Sequence, residues 1–243
     1  MASPWSSLPG GVPFPDMDCP PVQTPEQLCV AREVEEIEAF INGVLESHVG
    51  STFEPDRRLG QRGLADIVEA TVRDWLVEAG RRQDTLDVSP ARTKKSMEDV
   101  GFRHGPALVY LDVKTKDAKA ARFSMPNLVS IDRLSEFYKS GRNVFSIAHV
   151  EYVAYGDDEV VISKAELRRI EQVSWDCLLL GNIGKGQLQL NSKKGLLEFS
   201  GTRTEWIDRL HDEGIRFYGK QALKCIEREE LWKRRRRTPS RGS

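Results

Sequence analysis

The sequence predicts an α/β (α+β) fold with a mixed central sheet flanked by helices. Three observations carry that expectation. Apolar residues recur at helical spacing near the start, over residues 30–45 and 64–76. Runs that alternate with period two, "ALVYLDVKT" (107–115) and "NVFSIAHVEYVAYG" (143–156), fill the middle. A long helical region closes the chain over 201–233. Strands bracketed by amphipathic helices bury their faces by layering helix on sheet.

Residues 1–23 are rich in Pro, Gly and Ser and read as a loose N-terminal arm. In the first helix Thr24 is the cap, Pro25 takes the first position and Gln27 completes a capping box. Val30, Val34, Ile37, Ile41 and Leu45 form its apolar face, and Gly50 ends it. The second helix, over 62–80, has Leu64, Ile67, Val68, Ala70, Thr71, Trp75 and Leu76 as its buried stripe and Gly80 as its stop. Residues 81–98 are polar and show no clear period. "DVGF" (99–102) leads through a "RHGP" turn into "ALVYLDVKT". "LVSIDRLSEFYKS" (128–140) reads as a helix. A hairpin turns at "GDDE" (156–159), and "KAELRRIEQV" (164–173) reads as a short helix. "GQLQL" (186–190) and "GLLEF" (195–199) are short strands joined by "NSKK". Thr202 and Glu205 make a second capping box at the start of the last helix. Residues 24–232 form one domain on this reading, and the basic segment 233–243 is a disordered tail.

Composition narrows the function classes. The 243 residues include 39% apolar and 30% charged side chains, with a formal net charge of −1. A near-neutral chain does not coat nucleic acid or anionic membrane by bulk charge, although a local basic groove stays open to it. The four cysteines, Cys19, Cys29, Cys177 and Cys225, form no CxxC pair and have no histidines at zinc spacing, so reduced thiols are expected. A signal peptide and a membrane-length apolar stretch are both missing from the pattern. The expectation is a soluble intracellular protein, with no membrane partner.

Chemistry enters at "VYLDVKTKD" (109–117), where Asp112 and Lys114 interrupt an apolar strand and share one of its faces. An edge strand with a solvated ion pair, worth at most about 1 kcal/mol, explains such a pair without any function. Asp99, thirteen positions upstream, offers more. If "DVGF" and "ALVYLDVK" are antiparallel neighbours, Asp99 approaches Asp112. Two adjacent carboxylates repel, and a divalent cation relieves the repulsion. Oxygen ligands of this kind suit Mg²⁺, and a lysine on the same face serves metal-assisted phosphodiester hydrolysis.

Asp99 followed by Asp112-Val113-Lys114 resembles the PD-(D/E)xK nuclease core. The segment "YLDVKTKDAKAARFSMPNLVSIDRLSEFY" resembles, more narrowly, HincII-like type II restriction endonucleases, which carry an L-D-V-K-T strand and then P-N-(I/L)-(I/V)-S opening a helix. "GQLQL" followed by "GTRTEW" resembles a second block of that family, a Q-(I/L)-Q strand and a G-T-R-E-E-W helix start. Two departures stand out: Glu98, not proline, precedes Asp99, and the loop from Lys114 to Asn127 is one residue longer. In the family that loop holds a glutamine that wedges between bases; here Phe123, Ser124 and Met125 stand there.

The resemblance implies a restriction-endonuclease-like core that hydrolyses double-stranded DNA to 5′-phosphate and 3′-hydroxyl ends. Asp99, Asp112 and Lys114 would be catalytic. Asp99, Asp112 and the Val113 carbonyl would hold Mg²⁺. Lys94, Lys95, Lys116, Lys119 and Arg122 are candidate phosphate contacts, Phe123 a candidate wedge, and Asn127, Asn182, Gln187 and Gln189 candidate groove contacts. Glu69 and Asp66 read as ordinary exposed helix acids, with an outer carboxylate near the metal as the alternative. A palindromic site implies a homodimer, and a cognate DNA methyltransferase would be a functional partner rather than a physical one. Three alternatives remain: a DNA repair nuclease of the same superfamily, a non-catalytic DNA-binding protein of the same fold, and an interaction module in which Asp112 and Lys114 form only a surface pair.

Overall fold

A computed structural model describes residues 32–55, 63–93, 96–120, 126–156, 159–181, 186–191 and 196–237. The N-terminal arm and the capping box at Thr24 lie outside these residues. Helix α1 (Arg32–Ser47) buries Val34, Ile37, Ile41 and Leu45 of the stripe its spacing predicts, while Val30 lies outside the described residues. Gly50 follows it at φ 84°, a left-handed conformation that suits glycine. Strand β1 (Thr52–Phe53) and helix α2 (Gly63–Arg81) come next.

The buried stripe of α2 is narrower than expected. It runs through Val68, Val72 and Leu76, with Val77 beside them, while Leu64 and Trp75 pack only partly. Gly80 does not stop the helix, which continues to Arg81. A Cβ on Gly80 would lie 2.4 Å from Val88 Cγ2, on strand β2 (Asp87–Pro90). The glycine therefore serves helix–strand contact rather than termination.

Strand β3 (Val100–His104) turns through Gly105, at φ 54°, into β4 (Ala107–Asp117). The chain then forms β5 (Asn127–Ser130) and helix α3 (Ile131–Phe137). The helix expected from residue 128 thus begins only at Ile131. Ser130 caps it by accepting the Arg133 N–H, and "NLVS" is strand. Strands β6 (Asn143–Tyr155) and β7 (Glu159–Arg169) form the expected hairpin. β7 runs on through Arg169, so the expected helix over 164–173 shrinks to a 3₁₀ turn at Ile170–Gln172. Continued pairing with β6, as far as Ser146 opposite Arg169, wins over local helix propensity.

Strands β8 (Leu178–Gly181) and β9 (Gln187–Leu190) pair antiparallel, and β9 also pairs with β5. "GLLEF" is not a strand; it makes one isolated bridge, Glu198 to Val173. The last helix, α4 (Arg203–Arg237), begins with the expected reciprocal cap: the Thr202 N–H donates to Glu205 at 2.6 Å, and the Glu205 N–H donates to Thr202 Oγ1 at 3.2 Å. It extends to Arg237, into the segment expected to be disordered, and is exposed along most of its second half.

The large sheet has the order β1-β7-β6-β4-β3-β2, and the small one β5-β9-β8. Among the described strands only β4 and β6 pair in parallel, which makes the large sheet mixed. Helices α1 and α2 cover one of its faces, over Val109, Leu111, Val113, Val144 and Val150. The second core joins Phe145 and Ile147 of the large sheet to Leu128, Leu188 and Leu190 of the small one and to Trp206 of α4. Each fully buried aliphatic side chain contributes roughly 1.5–3 kcal/mol. Arg169 clamps α1 to β7 through two bonds to Glu38, at 2.7 and 2.5 Å.

Gly80→Ala tests the helix–strand contact. Helix propensity alone favours alanine by about 1 kcal/mol. The expected result is the reverse, a loss of about 1–3 kcal/mol in urea denaturation, because the added methyl would crowd Cβ and both Cγ atoms of the β-branched Val88. Val88→Ala in the same chain should recover much of that loss.

Candidate active site

Strand β4 is central, with β3 on one side and β6 on the other. The edge-strand explanation of the Asp-Lys pair therefore does not hold. Val109, Leu111 and Val113 enter the core under the helices, which turns Asp112 and Lys114 to the opposite face. There Asp112 is 5% exposed. The Lys114 ammonium donates to Asp112 Oδ1 at 2.6 Å. Asp112 Oδ2 is buried and accepts no hydrogen bond from the described residues.

Asp99 meets this pair through the backbone. The β3–β4 ladder ends with Val100 opposite Leu111. One residue earlier, the Asp99 N–H donates to the Leu111 carbonyl at 2.8 Å. Asp99 Oδ2 accepts the Val113 N–H at 2.8 Å. A side-chain carboxylate thus replaces the strand carbonyl that the ladder no longer supplies. Arg73 of α2 approaches the other Asp99 oxygen at 3.9 Å.

Burial pushes the Asp112 carboxyl well above the ordinary carboxylate range. The Lys114 charge opposes that shift, and the Asp99 charge adds to it. For Lys114, burial disfavours the ammonium, but the Asp112 charge and hydrogen bond, with the Glu69 and Asp99 charges, together raise its pKa. The cluster is short of positive charge at the carboxylates.

These residues fit a small hard cation on one observation: a buried Asp112 oxygen without a donor, beside a second carboxylate. Among the described residues no three His, Cys, Asp or Glu side chains form a metal-holding group. Mg²⁺ commonly uses one or two carboxylates and completes its shell with water or phosphate. Asp99, Asp112 and the Val113 carbonyl match that modest requirement.

Glu69 departs from its expected role as a surface acid. It is half-buried, 3.5 Å from the Thr115 hydroxyl, which donates to it and, at 3.3 Å, to the Ala65 carbonyl. Burial raises its pKa, Lys114 lowers it, and Asp99 and Asp66 raise it further. Asp66 itself is exposed, as expected. Arg73 was not foreseen either. The signal available was the four-residue spacing of Glu69 and Arg73 on one helix face.

The other candidates divide. Lys116 lies two residues beyond Lys114 on the same face and pairs with Glu151 of β6 at 3.3 Å. Lys119 is exposed, donates to the Ala154 carbonyl and lies 4.2 Å from the centre of the Tyr155 ring. Asn127, Gln187 and Gln189 stand on the small sheet. Lys94, Lys95, Arg122, Phe123 and Asn182 lie outside the described residues. Cys177 is buried and Cys225 exposed, both free thiols. No described helix is long and apolar enough to cross a membrane.

His149 is the register partner of Lys114 and is half-buried beside Glu151, Lys116 and Glu166. Burial lowers its pKa below 6.5. The folded state then binds fewer protons than the unfolded one, so this stability is present above about pH 6.5 and is lost as pH falls from there through the folded pKa. His149→Gln should flatten the decline in unfolding free energy between about pH 7.5 and 5, measured by denaturant titration. An unchanged decline would show that His149 is not its source.

No protein-family model matches the chain. No curated protein matches it either. Among solved structures it is similar to the NlaIV restriction endonuclease, at a TM-score of 0.42 and 14% identity, over 69% of this chain and 74% of that one. A likeness of that extent assigns neither family nor activity.

Proposed function

We propose that this protein is a Mg²⁺-dependent type II restriction endonuclease of the HincII-like kind, hydrolysing double-stranded DNA at a palindromic site. The observation that carries the reading is the convergence of Asp99 and Asp112 around the Val113 peptide, with Lys114 bonded to the more buried carboxylate. An ion pair kept only for solubility has no need of burial or of a second carboxylate. The sequence blocks around Asp112, Pro126 and Thr202 support the family.

Asp99, Asp112 and the Val113 carbonyl would hold Mg²⁺, which when bound polarises the phosphate and lowers the pKa of its water. Asp99 is fixed for this by the Val113 N–H it accepts. Lys114 orients the attacking water and balances charge building on the scissile phosphate. Glu69 adds negative charge at the rim and helps keep Lys114 protonated. Lys116 and Lys119 contact backbone phosphates, and Asn127, Gln187 and Gln189 face the groove. On this reading residues 24–232 are one endonuclease domain. The protein acts as a cytoplasmic homodimer, one subunit for each strand, in a cell whose methyltransferase protects the same site.

Digestion of a long mixed-sequence duplex with Mg²⁺, followed by end sequencing, should give discrete fragments with 5′-phosphate and 3′-hydroxyl ends. A smear, or nicking at DNA structures only, would favour a repair nuclease. Asp112→Asn should abolish cleavage while specific binding in Ca²⁺ stays within a few-fold. Cutting by that variant at the wild-type rate would refute the assignment. Lys114→Ala should slow cleavage by roughly 10²–10³-fold yet keep the thermal shift that Mg²⁺ produces.

A further inference from the structure

We infer that Gln189 reads an adenine in the DNA major groove and that Asn127 and Gly181 hold its amide ready to do so; this rests on the nuclease reading above and assigns it a base. Strand β9 alternates, with Leu188 and Leu190 buried and Gln187 and Gln189 turned to the other face. The two glutamines are alike in sequence, but the structure separates them. Gln187 Nε2 donates to the Leu128 carbonyl at 2.9 Å, a bond to its own scaffold. Gln189 Nε2 donates at 2.8 Å to Oδ1 of Asn127, its register partner on β5.

A carboxamide has two N–H donors and one carbonyl acceptor. With one Gln189 N–H held by Asn127, the other N–H and Oε1 have no further partner among the described residues. Adenine offers N7 as acceptor and its N6 amino group as donor on the major-groove edge, and an amide matches both at once. Exchanging oxygen and nitrogen in both side chains would leave Gln189 both N–H donors and one lone pair on Oε1, so a donor and an acceptor stay open on it either way.

Gly181 supplies a second, independent restraint. A Cβ at that position would lie 2.9 Å from Gln189 Cδ and 2.9 Å from Oε1. The amide therefore rests against the bare backbone at the end of β8. Glycine weakens a strand and marks a close approach; here what approaches is the polar head of Gln189. A glutamine held on two sides loses little freedom on binding, the condition for a specificity-determining contact. The small sheet is joined to the large one through the second core, where Leu188 lies in the same cluster as Ile147, the register partner of Asp112.

The test is selection from a random duplex pool by the full chain in Ca²⁺, scored base by base. The wild type should enrich a motif with a fixed A·T pair. Gln189→Ala should cut the preference at that pair by about tenfold and leave the other positions unchanged. Gln189→Glu, which removes the donors, should move the preference there from adenine toward cytosine. Asn127→Ala and Gly181→Ala should weaken the same position by a smaller factor, with total affinity nearly constant. A Gln189→Ala motif identical to the wild type, or a change confined to a G·C pair, would overturn the assignment while Mg²⁺-dependent cleavage stood. Failure of the wild type both to select and to cleave any duplex would instead overturn the nuclease reading, and this one with it.

Discussion

The hydrogen bond from the Val113 N–H to the Asp99 carboxylate is the constraint on which the candidate site depends. The β3–β4 pairing stops at Val100 opposite Leu111, two residues short of Val113, so the backbone of β4 would carry an unsatisfied donor without that side chain. The need to satisfy a peptide group thus places a carboxylate beside Asp112. One hydrogen bond thus serves both the strand and the site.

The strand that holds this bond has two unlike faces. One is continuous with the helix-covered core, and its valines and leucines fix the register. The other passes from core to charge along its length, from Tyr110, stacked on Phe137 at 4.6 Å, to Asp112, Lys114 and Lys116. Beyond Lys116 the polar surface continues across β6 and β7, where Glu151 pairs with Lys116 and Glu166 with Arg168, and His149 stands opposite Glu166. Asp112 sits at the boundary, deep enough for burial to hold its pKa up and close enough to Lys114 for partial relief. Such a boundary is where a carboxylate holds a cation most strongly, because little water competes.

The second core acts as the mount for the smaller sheet. Its centre is polar: Glu171, buried, accepts from the Tyr138 hydroxyl at 2.6 Å and pairs with Arg203 at 3.2 Å. Arg203 also donates to the carbonyls of Gly141 and Asn143, and Trp206 donates to Val173 at 2.9 Å. These bonds fasten the start of α4 to the loop before β6 and to the 3₁₀ turn after β7. Only the first half of α4 is so held. The second half leaves Leu223, Ile226 and Trp232 more than half exposed.

The sequence by itself determined what periodicity and local chemistry determine. The buried stripe of α1, the β3–β4 turn at Gly105, the β6–β7 hairpin and the Thr202–Glu205 cap were legible, because each depends on residues near one another in the chain. So was the proximity of Asp99 to Asp112, since a short antiparallel turn leaves little choice of register. Tertiary structure decided the rest. Gly80 reads as a helix stop until Val88 is packed against it, and "KAELRRI" reads as helix until β6 offers it a partner. Glu69 reads as a surface acid until α2 is laid across β4. Gln187 and Gln189 are indistinguishable until Leu128, Asn127 and Gly181 are brought beside them. In each of these cases the deciding contact comes from another element, and no local pattern of charge or apolarity specifies which surface will arrive there.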